Sequence, residues 1–154
     1  MNQRQAKTLH PRGPFFSLQT QPRVRADYVI DELLIIANAG GGTRQIGIQG
    51  LAGNAGLNAN GASIWKSLYQ PVSWANSGLL TLSITRFLSW SSSSPRVQIS
   101  TGRVMLQNSY FTDNIGMAIS VSPTTQRVMI LGNMLCGNTV SLNAQTTTST
   151  NNQP

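Results

Sequence analysis

The stretches LTLSITRF (80–87), VMLQNSYF (104–111) and VMILGNML (128–135) are three copies of one pattern, set 24 residues apart. Leu80, Leu82 and Phe87 become Val104, Leu106 and Phe111, then Val128, Ile130 and Leu135. A period of this size marks a solenoid, in which a unit too small to bury its apolar side alone stacks on copies of itself. Within each copy the apolar residues recur at every second position, with no 3.6-residue stripe, so the unit is made of strands. The pattern predicts an all-β solenoid of about four coils.

Each copy is followed by a turn and a second alternating piece: RVQIS (96–100), MAISV (117–121) and TVSL (139–142). Upstream, YVIDELLII (28–36) and RQIGIQGL (44–51) read as strand material. Ile46, Ile48, Leu80, Leu82, Phe87, Val97, Ile99, Val104, Leu106, Phe111, Ile119, Val121, Val128, Ile130 and Leu135 are expected to face inward. Between these regions, residues 52–78 show Gly–Ala punctuation, Pro71 and several rings without sustained alternation. They read as an inserted loop projecting from the stack. Asn114 and Asn138 fall 24 apart after apolar corner residues, which predicts a structural ladder of amides along the axis.

Composition fits stacked coils: 10% of the 154 residues are charged and 6% are aromatic. The net charge of +7 is concentrated in residues 1–25, where Arg4, Lys7, Arg12, Arg23 and Arg25 meet no acid. The organisation expected is a flexible basic leader (1–26), a solenoid (27–143) carrying the insertion, and a polar, disordered tail (144–154). The leader has no apolar stretch of the kind an intact secretory signal needs. Without a zinc-finger, RNA-recognition or phosphate-loop pattern beside it, the basic charge predicts no nucleic-acid partner. No apolar run approaches the roughly 18–20 residues that span a bilayer. Cys136 is alone and reads as a small buried thiol rather than a reactive one.

The strings PRVQISTGRVMLQNSYFTDNIGMAIS (95–120) and QRVMILGNMLCGN (126–138) resemble consecutive coils of the right-handed parallel β-helix superfamily. The shared positions are Asn108, Phe111, Asn114, Gly116, Ala118 and Ile119. The superfamily includes pectate lyases, polygalacturonase-like hydrolases and phage tailspikes. The resemblance implies a right-handed coil, a carbohydrate-related role and an extracellular, cell-surface or virion-surface setting. It also implies either further coils or a homotrimer as partners for open edges and flat walls.

Catalysis in such enzymes uses paired carboxylates, or a bound cation with an Arg or Lys base. This chain holds four acids: Asp27, Asp31, Glu32 and Asp113. The 24-residue equivalents of Asp113 are Ser89 and Gly137, so no pair forms across neighbouring coils. No catalytic residue, metal or cofactor is therefore assigned. The alternative is a fragment of a polysaccharide lyase or glycoside hydrolase whose catalytic coils lie elsewhere. Arg103 and Arg127 begin equivalent strands, and with Arg96 they form a candidate stripe for an acidic polysaccharide; the competing reading is solubilising charge on an outer wall. Trp65 and Trp74, near Lys66, Tyr69 and Trp90, read either as a sugar platform or as a small satellite core beneath the loop.

Overall fold

The computed structural model describes residues 16–18, 27–36, 46–65, 70–88, 94–112, 116–142 and 147–153. Of the residues singled out above, Arg4, Lys7, Arg12, Arg23, Arg25, Lys66, Tyr69, Ser89, Trp90, Asp113 and Asn114 lie outside them, as do the side chains of Asp27 and Trp65. The described elements are all strands: β1 (Phe16–Leu18), β2 (Asp27–Asp31), β3 (Leu34–Ile36), β4 (Ile46–Gly50), β5 (Gly56–Asn60) and β6 (Ser63–Trp65) come first. They are followed by β7 (Gln70–Trp74), β8 (Leu79–Ser83), β9 (Arg86–Leu88), β10 (Val97–Ile99), β11 (Gly102–Gln107) and β12 (Tyr110–Phe111). The last are β13 (Met117–Val121), β14 (Thr125–Leu131), β15 (Thr139–Ser141) and β16 (Thr147–Thr150).

Up to β14 every third strand returns to the same sheet, β15 and β16 then follow β13 and β14, and all pairings are parallel. The first sheet runs β1-β4-β7-β10-β13-β15, the second β2-β5-β8-β11-β14-β16, and the third β3-β6-β9-β12. Met134 and Gln153 continue the third sheet as isolated bridges. This is a β-solenoid of stacked parallel coils, as the 24-residue repeat predicts.

Columns of like side chains fill its interior. Leu57, Leu80, Val104 and Val128 align in the second sheet, beside Ala59, Leu82, Leu106 and Ile130. Ile64, Phe87 and Phe111 form the column of the third sheet, the two rings stacked at 4.6 Å and 10°. The expected inward set is buried throughout, except that Ile46, at the start of β4, is half-buried.

The corner between the second and third sheets is turned the same way in each coil. One residue there adopts a left-handed conformation: Glu32 (φ 56°), Gly61 (69°), Ile84 (53°), Asn108 (49°), Gly132 (61°) and Asn151 (54°). Its N–H donates to a carbonyl of the next coil, as from Ile84 to Gln107 (3.1 Å) and from Asn108 to Leu131 (3.0 Å). Most side chains avoid this region because Cβ crowds the carbonyl oxygen, and Gly and Asn tolerate it best.

Three stretches differ from the sequence expectation. The described parts of 52–78 are strands β5, β6 and β7 of a regular coil rather than a projecting loop. Ile46 aligns with Gln70 and Leu57 with Leu80, at steps of 24 and 23. The apparent excess arises from comparing Ile46 with Leu80, which lie in different sheets. The coil's alternation is muted because small residues, Gly56, Ala59 and Ala62, take its buried positions. In the leader, Phe16–Leu18 pairs with Ile48–Gly50. In the tail, Thr147–Thr150 pairs with Val128–Leu131. A polar strand needs no apolar side chain to join a sheet when an open edge offers its backbone a full ladder of hydrogen bonds.

Candidate functional site

The second sheet's outer wall carries the arginine pair. In β11 and β14, Val and Leu or Ile at alternate positions point inward, so the residues between them must face solvent. Arg103 and Arg127 are direct register partners, and Leu79 of β8 completes their column. Both arginines are exposed, and adjacent strands place their backbones about 4.8 Å apart. The next outer column holds Thr81, Met105 and Met129, all half-buried. Beyond it Gln107 donates from Nε2 to Ser83 Oγ at 3.0 Å. The wall thus offers two adjacent guanidinium groups, an apolar strip, and an amide–hydroxyl pair.

Across the corner, the third sheet's outer wall adds a cation that the sequence reading passed over. Arg86 is exposed and is the register partner of Tyr110, itself exposed, with Met134 bridged to Tyr110 on the next coil. The signal was present, since Arg86 and Tyr110 occupy the same place in the 24-residue repeat. In contrast, the described acids all fall in the first coil: Asp27, Asp31 and Glu32.

Two of the proposed glycan-contacting residues are not on a surface. Arg96 is 3% exposed. Its guanidinium lies against Gly116, where a Cβ would approach Nη1 to 2.7 Å, and Nη1 donates to Met117 O at 3.2 Å. The same burial holds its pKa below the usual arginine value. It packs the wall from within instead of standing on it.

Trp74 is fully buried. It faces inward from β7 between Gly50 and Ile99, and its ring fills the space that Gly50 leaves by lacking a Cβ. Its indole Nε1 reaches Gly78 O at 3.4 Å. A ring in this position belongs to the main core, so both readings made of Trp74, sugar platform and satellite core, are replaced. Trp65 ends β6 between Ile36 and Leu88.

Asn114, the expected ladder partner of Asn138, lies outside the described residues. Asn138 is buried and donates from Nδ2 to Leu135 O (2.6 Å) and Phe111 O (3.5 Å). The extended ladder runs through Ser109, Asn133 and Asn152. Ser109 N donates to Asn133 Oδ1 (2.8 Å), and Asn133 Nδ2 donates to Asn152 Oδ1 (2.9 Å) and Leu106 O (3.2 Å). Thr85 N donates to Ser109 Oγ at 3.2 Å, which joins the coil before. Cys136, φ 49°, is half-buried in the turn between Leu135 and Asn138 rather than in the core.

Among the described residues no group of three or more His, Cys, Asp or Glu is placed to hold a metal ion. Comparison with protein-family models, with curated proteins and with solved structures gave no match.

Proposed function

We propose that the chain is a structural, carbohydrate-contacting β-solenoid module. It would serve as a segment of a larger surface, secreted or tailspike-like protein, outside the cell or on a virion. The observation that carries this reading is the exposed Arg103–Arg127 register pair beside Met105 and Met129. Two guanidinium groups on adjacent strands match the closely spaced anionic groups of an acidic polysaccharide. The methylene and thioether surface beside them suits the apolar face of a sugar ring. Arg86 and Tyr110 extend the same chemistry around the corner. Tyr110 takes the part that the sequence reading gave to Trp74.

Exposed ion contacts are individually weak and are screened by salt. The proposal therefore predicts weak, salt-sensitive binding of uronate or sulfated glycans. The test is a titration at low and physiological salt, with Arg103→Ala/Arg127→Ala beside the parent. Loss of binding in the double variant is the expected result. Binding that ignores both salt and the substitutions would refute the arginine site. Release of unsaturated sugar ends, seen by ultraviolet absorption, would instead assign a lyase.

A further inference from the structure

The two ends of the solenoid differ in chemistry. At the last coil the inward columns turn polar: Val104 and Val128 give way to Thr147, and Leu106 and Ile130 to Ser149. The Asn133–Asn152 amide contacts tie that last coil to the one before it. At the first coil the corresponding positions are Tyr28 and Ile30, with Val29 and Leu34 on the outer side. Tyr28 is 43%, Val29 70% and Leu34 58% exposed. The first coil nevertheless has the corner of an interior coil, with Glu32 left-handed and its N–H bonded to Asn60 O at 2.9 Å.

Among the described strands, β2 lies at the end of its sheet and pairs with β5 alone. Soluble proteins blunt such edges, because unpaired N–H and C=O groups recruit strands. The strand begins at Asp27, ends at Asp31 and is followed by Glu32, three of the four acids in the chain. Charge on an edge both repels a like strand and selects an opposite one.

We propose that β2 is a docking edge for an extended basic segment of a partner protein, which adds a strand to the second sheet. Pairing in line with β2 sets the partner's pattern. Cations lie beside Asp27 and Asp31, and apolar β-formers lie beside Tyr28 and Ile30. Main-chain bonds supply affinity, and the alternating side chains supply specificity. Pairing with the first or last coil of a second copy is disfavoured. Its own first coil brings like charges together, and its last coil sets Thr147 and Ser149 against Tyr28 and Ile30.

The probe is a labelled peptide with the core lysine–valine–threonine–valine–lysine, which reads alike in both directions and so fits either strand polarity. Its glutamate counterpart serves as the contrast. Both are titrated into the full chain by fluorescence anisotropy, with amide exchange followed across residues 27–31. The expected result is binding at least tenfold tighter for the lysine peptide, with slowed exchange in β2. Asp31→Lys weakens it at least fivefold while retaining the parent's thermal midpoint, and Thr148→Ala at the opposite end leaves it unchanged. Absence of binding, equal binding of the glutamate peptide, binding without protection of β2, or indifference to Asp31→Lys would each overturn the proposal.

Discussion

Ile84 is the one β-branched residue in the corner column, at φ 53°, and its side chain is 55% exposed. A left-handed conformation costs an ordinary L-residue roughly 1–2 kcal/mol, and little burial offsets that here. Ile84→Asn or Ile84→Gly should therefore raise stability by about 1 kcal/mol, read as a higher denaturant midpoint at unchanged slope. The reverse change, Asn108→Ile, should lower it. Gly50 shows the opposite constraint. An added Cβ would collide with the Trp74 ring, which is fully buried and cannot swing away. Gly50→Ala should cost about 1–3 kcal/mol by overpacking, checked by the same titration.

Elements are held by columns, so damage at one rung spreads to the strands on both sides. Leu106 lies between Leu82 and Ile130 with no exposed surface. Leu106→Asp removes that packing and buries a charge without a partner, for a loss of at least about 4 kcal/mol or failure to fold. Circular dichroism and protease resistance would report it. In the ladder, Asn133→Ala leaves the buried Ser109 N–H without its acceptor and Leu106 O without the amide donor. A cost of about 2–3 kcal/mol is expected, with Asn133→Asp recovering only part because it keeps the acceptor and loses the donor.

Taken whole, the solenoid presents unlike walls. The first sheet's outer column reads Gln49, Ser73, Gln98, Ser120 and Ser141, without charge. The second and third sheets carry Arg103, Arg127 and Arg86. Glycan binding, if it follows the basic wall, should accordingly survive Gln98→Ala and Ser73→Ala and be lost with Arg103→Ala/Arg127→Ala. A side-by-side titration at low salt separates the two walls.

What the sequence by itself determined is the repeat and its consequences. Alternation at a 24-residue period placed Leu82, Leu106 and Ile130 in one column, and Arg103 beside Arg127, because strand pairing in a solenoid aligns equivalent positions. The assignment of sheets was decided only by the tertiary structure. Residues 52–65 look irregular in sequence because Gly56, Ala59 and Ala62 bury little apolar surface, yet their neighbours impose the coil on them. Thr147–Thr150 has no hydrophobic signal at all, and the open edge of β14 makes it a strand. The side of each wall that a ring or cation takes was likewise unreadable. Trp74 is inward because Gly50 leaves room for it, and Arg96 is buried because Gly116 does the same. Those partners lie 24 and 20 residues away, and only folding brings them together.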